Sequence, residues 1–271
     1  MATIEAERLK RLAIVRRLEA AGFRAWPASS TAYDGTWCVR TTTGFPARRL
    51  NSVNPLDPSD DQDIEARVRR AVEHFRSVGR QPIFRLSPLA PQRLIDHLDE
   101  AGWGREADSL VLVGDLASID LSEAIDRIPI RDGLRYLEGS LIVHERPPEL
   151  REGLFEILSS IRPSTAFFVR EDRRENPVAV ALAITDNDLA GLLDVAVSPH
   201  MRRRGFGLDL VRTALRHTLH RGARTGWLQV EADNAAGLAL YQGLGFREAY
   251  RYVYRTAPLD GQKASAISRA P

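Results

Sequence analysis

The pattern of apolar and polar positions divides the chain into segments of helix length and strand length. Apolar residues recur every third or fourth position over residues 4–21, which predicts an amphipathic helix that Gly22 is expected to end. Residues 36–53 predict two strands around a turn at Thr43-Gly44. Further helices are predicted over residues 58–77, 91–101, 148–161, 207–221 and 235–244. Further strands are predicted over residues 81–86, 109–114, 166–170, 178–185, 190–197, 227–232 and 250–255.

The order of these elements predicts the fold class. Consecutive strands dominate the early part of the chain, and strands alternate with helices in the later part. This order favours an α/β fold with a mixed, mainly antiparallel sheet and helices on both of its faces.

A weak internal repeat suggests two related segments. PQRLIDHLDEAGWGREADSLVLV and NAAGLALYQGLGFREAYRYVYRT each contain a helix, a glycine stop, an aromatic residue and a strand. Aligning Gly102 with Gly245 pairs Leu98 with Tyr241, although a unit as common as helix–glycine–strand can also match by chance. We expect a first domain over residues 1–116, a second over 117–259 and a disordered tail over 260–271.

Composition excludes several kinds of partner. The formal net charge is only +2, which favours neither a nucleic acid nor an anionic membrane surface. Cys38 is the single cysteine, so the chain has no internal disulfide or cysteine-based metal cluster. No apolar stretch is long enough to cross a bilayer, and the N-terminus does not resemble a signal peptide. We therefore expect a cytoplasmic protein without a metal or membrane partner.

The clearest chemical signal is a basic turn between a strand and a helix. The segment LLDVAV leads through SPHMRRRGFG directly into an amphipathic helix. Gly205 and Gly207 let the backbone approach a ligand, and the free N–H groups at a helix start attract an oxyanion. The arginines Arg202–Arg204 add positive charge for phosphates. The alternative is a glycine turn with arginines on a solvated surface.

The segment from about Gly191 to Glu248 is similar to the core of the GNAT superfamily of N-acetyltransferases. That family binds pyrophosphate with the signature Gln/Arg-x-x-Gly-x-Gly/Ala, and it has a later pattern of asparagine, alanine, leucine-tyrosine and glycine-phenylalanine. The matching residues are Arg202, Gly205 and Gly207 in the signature, and Asn234, Ala239, Leu240, Tyr241, Gly245 and Phe246 in the later pattern.

The first half resembles the degenerate N-terminal module of tandem bacterial GNAT proteins. The resemblance lies in GTWCVRTTTGFPARRLNSVNPL. No glycine-rich turn follows this stretch, and Leu98 stands where the tyrosine would be. The resemblance therefore implies a GNAT fold with a cofactor site in the second half alone.

The resemblance also implies a function: acetyl-CoA-dependent transfer of an acetyl group to a primary amine of a small molecule or peptide, by direct attack in a ternary complex. Tyr241 would act as general acid toward the leaving thiolate, and the Val195 N–H would hold the thioester oxygen. Asp194 or Glu231 would act as base, directly or through water. The resemblance assigns the cofactor to Val195, Ala196, Val197, Arg202, Arg203, Arg204, Gly205, Phe206, Gly207, Leu208, Asn234 and Tyr241.

Some alternatives stay open at this point. The chain could transfer a longer acyl group, or it could be a non-catalytic acyl-CoA-binding sensor module. His217 and His220 lie three positions apart on one helix, but no third ligand is spaced nearby, so a metal site is not expected. The sequence identifies neither the acceptor amine nor the oligomeric state.

Overall fold

The computed structural model describes residues 2–258, and the tail expected over residues 260–271 lies outside that range. Within this range, ten strands form a single sheet. The strands are β1 (Ser30–Asp34), β2 (Trp37–Thr41), β3 (Ser52–Pro55), β4 (Ile83–Leu86), β5 (Gly104–Asp115), β6 (Ser164–Glu171), β7 (Pro177–Asp186), β8 (Leu189–Val197), β9 (Thr225–Glu231) and β10 (Arg247–Thr256). The helices are α1 (Ala2–Ala25), α2 (Ile64–Ser77), α3 (Gln92–Glu100), α4 (Gly133–Val143), α5 (Arg151–Ser160), α6 (Phe206–His220) and α7 (Ala235–Gly243).

The sheet runs without interruption through both halves of the chain, in the order β1-β2-β3-β4-β10-β5-β9-β8-β7-β6. All neighbours are antiparallel except β3 with β4 and β8 with β9. Strand β10, from the end of the chain, lies between β4 and β5, where Val253 pairs with Leu86. Strand β5, from the first half, lies between β10 and β9, where Ser109 pairs with Glu231. Each half therefore contributes its last strand to the other half of the sheet.

Helices cover both faces of the sheet, as the order of elements predicts. One face carries α1, α4 and α5, whose buried residues pack against Trp227 and Tyr250 in one apolar cluster. The opposite face carries α6 and α7 over the second half and α2 and α3 over the first, with Leu228 and Phe84 among the buried strand residues. The predicted α/β fold class is confirmed.

The predicted end of the first helix is wrong. Helix α1 continues through Gly22 to Ala25, because this glycine faces the protein interior. A Cβ at Gly22 would lie 3.8 Å from the Trp227 ring and 3.5 Å from Gln229 Nε2. Packing of the helix against the sheet therefore outweighs the local tendency of glycine to end a helix.

Two boundaries in the first half differ from the prediction. The predicted turn at Thr43-Gly44 is present between the antiparallel strands β2 and β3, but β3 begins only at Ser52. Asn51 holds the connection between them, because it accepts the Thr42 N–H at 2.8 Å and donates to the Phe45 carbonyl at 2.8 Å. Residues 58–63 precede α2 rather than belonging to it, because the Asp57 carboxylate accepts the Ser59 N–H at 2.9 Å and forms a local turn.

The pattern missed two elements altogether. Strand β1 is short, polar and largely exposed, so it shows no apolar alternation. Helix α4 follows a stretch without helical periodicity and is capped by Asp132, whose side chain accepts the Leu134 N–H at 2.9 Å. Among the described residues, no helix combines the length and the apolar character that a membrane span requires.

Candidate active site

A cleft opens where strands β8 and β9 diverge. Their parallel pairing runs from Leu189 with Thr225 to Leu192 with Leu228. Beyond that point β8 continues along β7 and β9 continues along β5. The resulting cleft has a volume of about 1120 Å³ and is lined by the carboxyl ends of both strands. This is the position at which parallel strands expose backbone groups to a ligand.

A β-bulge at Asp194 turns β8 away from β9. The pairing register of β8 with β7 shifts between Leu193 opposite Leu182 and Ala196 opposite Val180. Asp194 has a φ of 52°, in the left-handed region that non-glycine residues rarely adopt. The bulge brings the backbone of residues 195–197 to the wall of the cleft.

The side chain of Asp194 is buried, with 2% of it exposed, and both of its oxygens are engaged. Oδ1 lies 2.6 Å from Arg146 Nη2 and 3.0 Å from His144 Nε2. Oδ2 accepts the Tyr136 hydroxyl at 2.9 Å and the Ser140 hydroxyl at 2.6 Å. Arg146 Nη1 also donates to Ser140 Oγ at 2.6 Å, which closes the network. All four partners come from α4 or the residues just after it.

This network decides the ionisation of Asp194. Burial opposes the charged form, but the hydrogen bond and charge of His144 and the charge of Arg146 outweigh it and hold the pKa of Asp194 well below its ordinary value. Burial and the neighbouring Asp194 charge raise the pKa of Tyr136, so its phenol stays protonated and continues to donate. A carboxylate with this pKa and four hydrogen-bond partners is a poor acceptor for a further proton.

The same network orients one peptide unit. His144 Nε2 lies 3.4 Å from the carbonyl oxygen of Asp194, which directs that carbonyl toward the end of α4. In a trans peptide the C=O and the following N–H point to opposite sides. The N–H of Val195, which lines the cleft, therefore points away from His144.

The sequence did not reveal these partners of Asp194. They lie 48 to 58 positions from it along the chain, so no local motif joins them to β8. One signal was available: Tyr136 and Ser140 lie four apart within an otherwise apolar stretch, on one face of any helix formed there. Two buried hydroxyl groups on one helical face require a polar partner.

The basic turn lies at one end of the cleft. Gly205 has a φ of 81° and Arg203 a φ of 63°, and a Cβ added to Gly205 would meet nothing within 4 Å. Helix α6 starts immediately after Gly205 without any side-chain cap, and the first backbone bond of the helix is donated by Asp209. The N–H groups before Asp209 are thus left for a ligand in this part of the described chain. Arg202 Nε donates to the Val197 carbonyl at 3.2 Å, which ties the turn to β8.

Gly207 lies at the start of α6, beside β8 and α7. A Cβ there would lie 3.4 Å from Val197 Cγ2 and 3.5 Å from Leu240 Cδ1. Phe206 and Leu208, on either side of it, also line the cleft. The start of α6 therefore lies against both β8 and α7 at this position.

Tyr241 lines the cleft from α7. The residue is 8% exposed, and its ring packs edge-on against Phe246, with ring centroids 6.0 Å apart. Within residues 2–258, the Tyr241 hydroxyl has no hydrogen-bond partner and is not sealed from the cleft. Burial raises the pKa of Tyr241 to about 12, so its hydroxyl carries a proton at neutral pH.

Asn234 and Glu231 complete the predicted set of site residues. The Asn234 side chain accepts the Gly237 N–H at 2.9 Å, so it caps α7 as well as lining the cleft. Glu231 is exposed at the end of β9 and also lines the cleft. Of the residues that the sequence nominated, Arg204 alone is absent from the cleft lining; it lies exposed in the turn.

The proteins that this chain resembles are described as acetyltransferases. Residues 13–255 match the family described as probable histone acetyltransferase Rv0428c, C-terminal. The uncharacterized N-acetyltransferase YobR of Bacillus subtilis is 24% identical over 248 residues, covering 89% of this chain and 98% of YobR. The [ribosomal protein bS18]-alanine N-acetyltransferase of Escherichia coli is 40% identical over 101 residues, covering 36% of this chain and 67% of that protein.

Solved structures share the whole fold. A GCN5-related N-acetyltransferase from Kribbella flavida has a TM-score of 0.68 at 16% identity, covering 90% of this chain and 95% of its own. A tandem GNAT protein from the clavulanic acid biosynthesis pathway has a TM-score of 0.60 at 15% identity, covering 89% of this chain and 87% of its own. The predicted tandem GNAT fold is therefore confirmed.

Proposed function

The chain belongs to the acetyltransferase family of Rv0428c, a family of GNAT type, and on that premise we propose that it uses acetyl-CoA to acetylate a primary amine of a small molecule or peptide. Both substrates would be bound together, and the amine would attack the thioester directly. The observation that carries this proposal is the divergence of β8 and β9, which opens one cleft between the uncapped start of α6 and the Tyr241 hydroxyl, which has no partner within residues 2–258.

The turn before α6 fits a pyrophosphate. Gly205 has open space where a side chain would stand, and the N–H groups at the start of α6 have neither a side-chain cap nor an intrahelical acceptor. Arg202 and Arg203 line the same end of the cleft and would balance the phosphate charge. When bound there, acetyl-CoA supplies an activated acetyl group as a thioester.

Three residues of β8 would receive the acyl end of the cofactor. We propose that the N–H of Val195 holds the thioester oxygen, and that the backbone of Ala196 and Val197 binds the adjoining arm. Asp194 then acts through position rather than by taking a proton, because its carboxylate is saturated and its carbonyl is turned toward His144. By holding the bulge, Asp194 would fix the direction in which the Val195 N–H points.

Tyr241 would give a hydrogen bond or proton to the leaving sulfur. A phenol with a pKa near 12 is protonated when the reaction begins, and its hydroxyl has no competing partner in the described chain. The buried ring holds the hydroxyl at the cleft without further hydrogen bonds.

Glu231 is the better of the two predicted bases. It is exposed, it lines the cleft from the end of β9, and it has no ion-pair partner among residues 2–258. A carboxylate of this kind can accept a proton from the amine through water, whereas Asp194 cannot readily do so. We therefore propose Glu231 with water as the route for the proton.

The test is a panel of amines incubated with acetyl-CoA while free thiol is followed. The panel should include a peptide with an N-terminal alanine, since the Escherichia coli relative acts on an alanine of a ribosomal protein. Calorimetry with acetyl-CoA alone measures binding independently. Binding together with amine-dependent thiol release supports the proposal. Tight binding without acetylation of any amine in a broad panel would instead identify an acyl-CoA-binding module.

A further inference from the structure

The cleft continues beyond the point of acetyl transfer into a region built largely by the first half of the chain. Residues of α1, β2 and β4 line this region together with β10. We call it the acceptor end, and it is formed by Glu19, Phe23, Trp26, Arg40, Arg85, Gln229, Tyr252 and Tyr254. It lies on the sheet face that α1 covers, and its aromatic walls include Tyr252 and Tyr254, whose ring centroids are 5.5 Å apart.

Arg40 is the unusual member of the acceptor end. It is buried, with 3% exposed, and its guanidinium lies 4.5 Å from the centre of the Phe23 ring. Nη1 donates to the Arg49 carbonyl at 2.8 Å and Nη2 donates to the Trp26 carbonyl at 2.5 Å. A guanidinium has five N–H donors, so these two bonds leave most of its capacity unused. Within residues 2–258, Arg40 forms no ion pair.

Glu19, the carboxylate whose charge acts on Arg40, is already engaged by other groups. Both oxygens of Glu19 are taken by Arg85, with Nη2 at 3.0 Å from Oε1, and Oε1 also accepts the Tyr250 hydroxyl at 2.6 Å. Arg85 in turn lies 3.6 Å from the centre of the Tyr252 ring. The pair formed by Glu19 and Arg85 is electrically balanced, so Glu19 does not offset the charge of Arg40.

Arg40 keeps that charge at neutral pH. Burial lowers its pKa to about 10, with Arg85 acting in the same direction and Cys38 and Glu19 against it. Burial also raises the pKa of the Cys38 thiol, so this neighbour is not an anion at neutral pH. A buried cation without a counter-ion is costly, and such sites are completed by an anionic group.

We infer that the acceptor is an amine that also carries a carboxylate, and that Arg40 binds this carboxylate. The inference rests on the proposed function, because it names the class of amine that the acetylation site would receive. The acceptor would lie along the aromatic wall of Tyr252 and Tyr254. Its amine would be directed toward Gln229, whose Oε1 accepts the Tyr252 hydroxyl at 3.2 Å, and its carboxylate toward Arg40. The planar guanidinium suits a carboxylate held by two parallel hydrogen bonds.

The experiment compares acids with their amides. Acceptors would be L-phenylalanine, 3-aminopropanoate and 4-aminobutanoate, each with its primary amide, and thiol release would give kcat/KM for each. At least one acid should exceed its amide by about 10- to 100-fold, the scale of a hydrogen bond to a charged group. Arg40→Met should remove that preference. Equal use of acids and amides, or a preference that survives Arg40→Met, would overturn the inference.

Controls separate recognition from folding. Arg255→Met is the control variant, because Arg255 is also buried and donates to the Gly104 and Trp103 carbonyls, pairs in addition with Asp99, and does not line the cleft. It should leave the ratio of acid to amide unchanged. A loss of structure in Arg40→Met would lower both rates together, and acetyl-CoA affinity by calorimetry reports whether the cleft is intact.

A binding measurement on the unmodified protein keeps the inference testable if Arg40→Met does not fold. In the presence of CoA, 3-phenylpropanoate should bind and 3-phenylpropanamide should bind at least about ten times more weakly. Equal binding of the two contradicts the inference. If acetyl-CoA is bound and amines are acetylated without regard to their charge, the inference fails and the proposed function stands. If acetyl-CoA is not bound, the proposed function itself fails.

Discussion

Arg146 Nη2 lies 2.6 Å from Asp194 Oδ1, and this ion pair links the end of α4 to the bulge on β8. The two residues are 48 positions apart along the chain. Asp194 is the residue at which β8 adopts a left-handed conformation beyond its pairing with β9. The ion pair therefore stabilises the strand distortion that opens the cleft.

Replacing Asp194 should be costly to folding. Asp194→Asn keeps the shape of the side chain but leaves the partly buried Arg146 without a counter-ion, and removal of one partner from a buried pair costs about 3–5 kcal/mol. Urea unfolding measures this change. Asp120→Asn is the control, since Asp120 is exposed and only caps a local turn. A fall in unfolding free energy no larger than that of the control would contradict the role assigned to Asp194.

The same pair predicts how stability depends on pH. The pKa of Asp194 in the folded chain is well below its ordinary value of 3.8, so its ionisation stabilises the fold above that value. As the pH falls below about 4 toward the folded pKa, the unfolded state binds the proton first and this contribution is lost. The difference in unfolding free energy between the wild type and Asp194→Asn should therefore shrink as the pH decreases. A difference that is constant down to about pH 2 would exclude this origin.

Gly205→Glu should abolish the binding of acetyl-CoA. The new side chain and its negative charge would occupy the open space before α6, where we propose that the pyrophosphate lies. Gly79→Glu is the matched control, because Gly79 also has a positive φ, also faces open space and does not line the cleft. Calorimetry should detect binding to the control only. Unchanged affinity in Gly205→Glu would show that the turn is a solvated surface loop.

One molecule of acetyl-CoA should bind per chain. Among the described residues of the first half, no uncapped helix start follows a glycine turn of the RRRGFG type, and Leu98, which aligns with Tyr241, is fully buried in the core between α3 and the sheet. Titration calorimetry with an accurately known protein concentration measures the stoichiometry. A value near two would indicate a second site in the first half.

Tyr241→Phe should separate catalysis from packing. The ring stays in place against Phe246, so acetyl-CoA affinity should change little, while turnover should fall by about 10²-fold because the acid is lost. Because the pKa of Tyr241 is about 12, its hydroxyl stays protonated up to about pH 10. Deprotonation of Tyr241 should therefore not reduce the activity of the wild type below that pH. Turnover at the wild-type rate in the phenylalanine variant would make Tyr241 a packing residue.

The roles of Asp194 and Arg40 could be inferred only from the tertiary structure. Asp194 was predicted to be a base because it lies on the strand expected to face the acceptor, yet a strand position does not reveal what surrounds a side chain. The contacts with Tyr136, Ser140 and Arg146 form only when α4 packs on the sheet, and they convert the carboxylate from a proton acceptor into a structural anion. Arg40 gives no signal in the sequence either, because its burial at the cleft depends on α1 crossing the sheet.

The sequence by itself determined the features whose physics is local. The turn through Gly205 and the cap at Asn234 depend on neighbouring residues, so they could be identified along the chain and lie where predicted. Helix α6 starts at Phe206, one residue before the predicted start. Tertiary structure alone decided the exchange of β5 and β10, the network of Asp194 and the composition of the acceptor end. These features depend on contacts between residues far apart in sequence. Hydrogen bonds between strands and the burial of charged side chains form only when the whole sheet has assembled.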